Sequence, residues 1–103
     1  MEIRSTEAGG ETRMQLIGEL DIATGPDLES AVQRALDAGS RGVVIDLAGT
    51  TFMDSSGLGS LIRAARSVDA TRGSMTVLSP PGSEARVVIE MSRTGLVVGL
   101  NDA

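Results

Sequence analysis

The chain has 103 residues, 41% of them hydrophobic, with 14 acids against 9 bases for a net charge of −5. This length fits one domain, 1–103, able to bury about 65% of the surface its unfolded form would expose, and no apolar run approaches the ~20 residues of a membrane span. The absence of Cys, His and Lys, with Phe52 the one aromatic residue, excludes disulfides, Ser-His catalysis, His or Cys metal sites, phosphate-loop and Schiff-base lysines, and base-stacking platforms.

The acidic balance repels phosphate backbones, so no direct nucleic-acid partner is expected. No basic, apolar signal peptide opens the chain, so no membrane insertion and a cytoplasmic location are expected. The use of Arg throughout in place of Lys, with abundant Ala and Gly, suggests a GC-rich bacterial genome.

The first segment reads as a hairpin: Glu2-Ile3-Arg4 alternates in polarity, Ala8-Gly9-Gly10 turns, and Met14-Gln15-Leu16 alternates again before Gly18-Glu19-Leu20-Asp21. A helix is expected after Thr24, with Thr24 as N-cap, Pro26 in the first turn, and Asp27 and Glu29 complementing the helix dipole. Leu28, Ala31, Val32, Ala35 and Leu36 form one apolar face before Gly39. Val43-Val44-Ile45-Asp46-Leu47 reads as a central strand buried on both faces. Thr50-Thr51-Phe52-Met53 leads into a second helix over about Ser56 to Arg72, whose apolar face is Leu58, Leu61, Ile62, Ala65 and Val68.

Met75 to Leu78 reads as another strand and Ser79-Pro80-Pro81-Gly82 as a loop. A third helix is expected over about Ser83 to Arg93 with Gly95 as its stop, then a last strand at Leu96-Val97-Val98. Strands alternating with helices after an opening hairpin imply an α/β fold with a small mixed sheet built from βαβ units.

Phe52-Met53-Asp54-Ser55-Ser56-Gly57-Leu58-Gly59 places two hydroxyls and two glycines at one helix start. The plain reading is a well-capped helix, and local chemistry alone favours it. Anion binding at the helix start is opposed by Asp54 and by the lack of Lys. Serine catalysis lacks an activating base and the Gly-x-Ser-x-Gly elbow. Regulatory phosphorylation fits the chemistry: a phosphate there gains from the helix dipole and adds roughly −1.5 to −2 charge without unfolding the helix. At an effective dielectric of about 20 and about 6 Å, the repulsion between two unit charges is about 3 kcal/mol, so an acid on a partner facing that site would weaken docking about 100-fold or more.

Gly18-Glu19-Leu20-Asp21, Val44-Ile45-Asp46-Leu47, Met53-Asp54-Ser55-Ser56-Gly57-Leu58-Gly59 and Thr94-Gly95-Leu96 together resemble the STAS domain of bacterial anti-sigma factor antagonists. The resemblance spans nearly the whole chain. It implies a small mixed sheet with helices packed on one side, and partner switching in the control of transcription, as in stress responses. Members bind an anti-sigma factor that is itself a serine kinase, which frees the sigma factor. The kinase phosphorylates the serine after the motif acid, and a serine phosphatase reverses this.

The resemblance makes Ser55 the acceptor, with Ser56 the second choice, and Asp54 the motif acid. Asp21 with Thr24 becomes a second acidic patch facing the partner. Gly57 and Leu58, at the exposed helix start, enter the same contact. It implies no cofactor, no metal and no enzymatic activity of the chain's own. The sequence closes at Asn101-Asp102-Ala103, so a terminal helix found in many members is expected to be absent or vestigial here.

Two alternatives stand beside this reading. One is a non-switching STAS scaffold subunit of a signalling or transport complex, in which the serine pair is only a cap. The other is a nucleotide-binding protein, on the strength of the glycine-flanked helix start. Asp46 is expected to mark a strand end. Met14, Met53, Met75 and Met91 are expected to fill the core, Arg63 and Arg66 to form a solvated helix face, and Leu96 to staple the third helix to the core. Glu84 and Glu90 serve solubility.

Overall fold

The computed structural model describes residues 1–101. In chain order the elements are β1 (Glu2–Ala8), β2 (Glu11–Leu20), α1 (Gly25–Asp37), β3 (Gly42–Asp46), β4 (Thr50–Met53), α2 (Ser55–Ala70), β5 (Ser74–Leu78), α3 (Glu84–Ser92), α4 (Gly95–Val98) and β6 (Leu100–Asn101). They form a mixed α/β fold around one six-stranded sheet in the order β1-β2-β3-β5-β6, with β4 also on β2. The β1–β2 hairpin is antiparallel; every other pairing is parallel.

Alternation along β2 sets the layers. Thr12, Met14 and Leu16 are buried while Arg13 and Gln15 are exposed, so one face of the sheet carries the helices and the other is open. β3 follows the same rule. Val43 and Ile45 are buried, whereas Val44 and Asp46 are only half-buried, which corrects the expectation of a strand covered on both faces. Val44 lies between Arg13 and Thr76 in register, on the face no helix covers. Asp46 does mark a strand end: its Oδ1 accepts from Ala48 N at 2.9 Å and its Oδ2 pairs with Arg13 at 3.1 Å.

α1 buries Leu28, Ala31, Val32 and Ala35, and α2 buries Leu58, Leu61, Ala64, Ala65 and Val68, each at the spacing of one helical face. Thr24 occupies the α1 N-cap position but makes no side-chain cap bond; its hydroxyl is engaged with the turn before it. α3 is capped by Ser83, whose Oγ accepts from Arg86 N at 3.2 Å.

β4 is a strand the sequence did not announce. Gln15 pairs with Asp46 and Gly18 with Thr50, so β3 and β4 run one after the other along β2. The register jumps from Gly18↔Thr50 to Glu19↔Phe52, leaving Thr51 as the extra residue of a bulge.

The C-terminal part corrects four further expectations. α3 ends at Arg93 in the left-handed conformation, φ 59°, and not at Gly95, which instead opens α4. Leu96-Val97-Val98 is therefore helical, and the last strand is Leu100–Asn101. Val98 alone of the three reaches the core, while Leu96 is fully exposed and staples nothing. Met91, 81% exposed, is likewise no core filler, whereas Met14 and Met53 are buried. The turn at Gly99, φ 77°, brings the chain so close to Met75 that a Cβ there would overlap the Met75 carbonyl oxygen. Asp102 and Ala103, part of the closing segment weighed above, lie outside the described residues.

Candidate functional site

Leu20 and Met53 are register partners at the ends of β2 and β4. Neighbouring strands lie about 4.8 Å apart, so Asp21 and Asp54 leave the sheet side by side. The structure thus brings together two acids that are 33 positions apart in the sequence (54 − 21).

Asp54 is the N-cap of α2, its Oδ1 accepting from Gly57 N at 2.9 Å. Asp21 closes the turn before α1: its Oδ1 accepts from Ala23 N at 3.0 Å and Thr24 N at 3.1 Å. Thr24 Oγ1 accepts from Asp21 N at 2.9 Å and lies 2.8 Å from the Glu19 carbonyl, to which it donates. Each carboxylate is thereby locked through Oδ1, and among the described residues neither Oδ2 has a hydrogen-bond partner. Two oriented negative groups remain uncommitted at this end of the sheet.

Ser55 is the first residue of α2 and is exposed; Ser56 is half-buried. Among the described residues no hydrogen bond engages the Ser55 hydroxyl, because the cap is the carboxylate of Asp54. The amides of Ser55 and Ser56 precede the first intrahelical bond of α2 and face outward. Ser55, Ser56, Gly59 and Arg63 on one side and Ile22 and Pro26 on the other line a groove of about 280 Å³.

Gly57 and Leu58 depart from expectation. Leu58 is only 7% exposed and belongs to the core. Gly57 is buried too, with no room for a Cβ beside the Leu20 carbonyl. The exposed helix start consists of Asp54, Ser55 and Ser56; Gly57 and Leu58 anchor it from beneath.

Arg63 is not a merely solvated charge. Its Nε donates to Glu29 Oε1 at 3.0 Å, and Ser60 Oγ donates to Glu29 Oε2 at 3.1 Å, tying α2 to α1 beside the groove. Arg66 is exposed, as the solvated-face reading expects. The residue missed by the sequence reading is Ile22, 78% exposed between Asp21 and Ala23. A large aliphatic residue between the turn formers Asp21 and Thr24 was the available signal. Among the described residues no helix is long and apolar enough to cross a membrane, and no cluster of acids is arranged to hold a metal.

A mixed sheet with helices on one face, and a hydroxyl-bearing helix start set beside two locked acids, defines a class of small α/β domains. The STAS domain model matches residues 2–98, and the chain belongs to that family. Among solved structures it is similar to the anti-sigma factor antagonist SpoIIAA in its unphosphorylated form, at 25% identity and a TM-score of 0.80, covering 99% of this chain and 88% of the other. SpoIIAA, the Bacillus cell fate determinant, in its phosphorylated form matches at 24% identity and a TM-score of 0.75, covering 99% and 91%. An anti-sigma factor antagonist from Mycobacterium paratuberculosis matches at 22% identity and a TM-score of 0.82, covering 96% and 83%.

Proposed function

We propose that the protein is an anti-sigma factor antagonist: a single STAS domain that binds partners and catalyses nothing itself. In its unphosphorylated form it holds an anti-sigma factor that is a serine kinase, and so releases the sigma factor. Phosphorylation of Ser55 ends that contact and a serine phosphatase restores it.

One observation carries the reading. Ser55 is exposed, its hydroxyl is uncommitted, and it opens a helix already capped by Asp54. The hydroxyl is therefore dispensable to the fold and available to a kinase. A phosphate there would sit by the free amides of α2, where the helix dipole favours it, and beside Asp21 and Asp54. The added charge and bulk would be rejected by a single partner acid set directly against Ser55, while the scaffold persists. SpoIIAA, similar over nearly its whole length, exists in phosphorylated and unphosphorylated forms, which supports the same cycle here. The scaffold alternative treats the serine pair as a cap; the cap bond here comes from Asp54, which leaves the Ser55 hydroxyl free for the switching reading.

The test is incubation with ATP and the cognate anti-sigma kinase, followed by mass-spectrometric mapping. Phosphate is expected on Ser55 and not in Ser55→Ala. Kinase binding should survive in Ser55→Ala and fall about 100-fold in Ser55→Asp. No incorporation into the wild type, or equal affinity of the two variants, would overturn the reading.

A further inference from the structure

We infer that Ile22 is the apolar anchor of the kinase contact, and that the partner meets it with an apolar socket rimmed by Arg or Lys. This rests on the function proposed above and adds the residue that sets affinity and selectivity.

Single exposed hydrophobic side chains are ordinary, so exposure alone says little. Ile22 differs in three ways. First, it lines the same groove as Ser55, so a protein that reaches the Ser55 hydroxyl must cover Ile22. The other exposed large apolar residues, Phe52 on β4 and Val87, Met91, Leu96 and Val97 on α3 and α4, line no part of that groove. Second, Ile22 stands on a turn already fixed by the bonds among Glu19, Asp21, Ala23 and Thr24. A side chain presented from a pre-formed turn loses little backbone freedom on binding.

Third, its surroundings state the partner's chemistry. Asp21, half-exposed, adjoins it in the turn; Glu19 and Asp27, both exposed, stand on the strand and helix that flank the turn; Asp54, half-exposed, caps the helix on the other side of the groove. Arg63, the base on the groove wall, is engaged by Glu29. Acids flanking an aliphatic knob are complementary to bases flanking an apolar pocket, with the partner acid that rejects phosphate confined to the point facing Ser55; central burial then supplies affinity and charge supplies selectivity.

Fully burying an isoleucine side chain is worth roughly ten-fold to a hundred-fold in affinity. The experiment measures binding of the purified anti-sigma serine kinase from the same organism, by calorimetry, to wild type, Ile22→Ala, Ile22→Asp and Met91→Ala, with phosphorylation kinetics on each. Ile22→Ala should bind at least ten-fold more weakly and raise KM with little change in kcat. Ile22→Asp should lose more, and Met91→Ala, equally exposed but outside the groove, should match wild type within two-fold. All melting curves should coincide, since Ile22 is not part of the core. Wild-type affinity in Ile22→Ala would overturn this inference and leave the proposed function standing; a kinase that neither binds nor phosphorylates the wild type would overturn both.

Discussion

Gly57 of α2 rests directly on the backbone of Leu20 at the end of β2: a Cβ on Gly57 would overlap the Leu20 carbonyl oxygen and lie 2.9 Å from its carbon. Strand ends cannot retreat as a flexible side chain can, so Gly57→Ala forces the first turn of α2 outward. Overpacking of this kind costs about 1–3 kcal/mol, and a domain of this size loses about 4–8 °C of Tm per kcal/mol. Thermal unfolding should show a fall of about 4–24 °C. An unchanged Tm would mean that helix and strand do not meet here.

Asp54 serves the fold and the surface through different oxygens. Asp54→Ala removes the acceptor for Gly57 N and should cost about 1 kcal/mol. Asp54→Asn keeps a cap acceptor of nearly equal quality and removes the charge. Urea titration should therefore place Asn close to wild type and Ala clearly below it. Binding of the anti-sigma kinase should be weakened in both. If Asn restored binding along with stability, the charge would have no part in recognition.

Ser55 should be nearly silent in stability. Its side chain is exposed and uncommitted, so Ser55→Ala and Ser55→Asp should both unfold within about 0.5 kcal/mol of wild type, with Asp slightly favoured by the helix dipole. In an amide correlation spectrum Ser55→Asp should move resonances around Asp21–Thr24 and Asp54–Gly59 and leave β5 and α3 in place. Shifts spread over the whole sheet would replace charge rejection by refolding as the mechanism.

The parts of this site legible in the sequence are those that depend on local chemistry. The Asp54-Ser55-Ser56 helix start, the apolar faces of α1 and α2 and the alternation of β2 each follow from spacing of a few residues. β4 was hidden because its burial runs buried, exposed, exposed, buried from Thr50 to Met53: the bulge at Thr51 breaks the alternation by which strands are recognised. Yet β4 is what pairs Met53 with Leu20 and makes Asp21 and Asp54 neighbours. Leu96-Val97-Val98 misled in the opposite direction, since a short β-branched run carries the strand signature while the left-handed turns at Arg93 and Gly99 leave room only for one helical turn. Gly57 and Leu58 were assigned to the surface because motif membership gives no depth. The helical face shared by Leu58, Leu61 and Ala65 already pointed inward.

The spacing between the two halves of the site is set by Gly25 and Ser60, where α1 and α2 cross. A Cβ on Gly25 would overlap Ser60 Oγ and lie 3.1 Å from Ser60 Cβ, so the helices approach as closely as a glycine opposite a serine allows. Gly25 follows the Asp21–Thr24 turn and Ser60 lies a little over one turn into α2, so any separation here also separates Asp21 from Ser55. Gly25→Ala should cost about 2 kcal/mol and weaken kinase binding. Ser60→Ala removes the Oγ and its bond to Glu29, and alone should cost about 1 kcal/mol. Combined, the two should cost less than their sum, because the hydroxyl that obstructs the new methyl is gone; a coupling of about 1 kcal/mol is expected from denaturation of the full cycle. Strict additivity would show that the helices do not touch at this point. Partial recovery of both stability and binding in the double variant would show that the groove holding Ser55 depends on this contact.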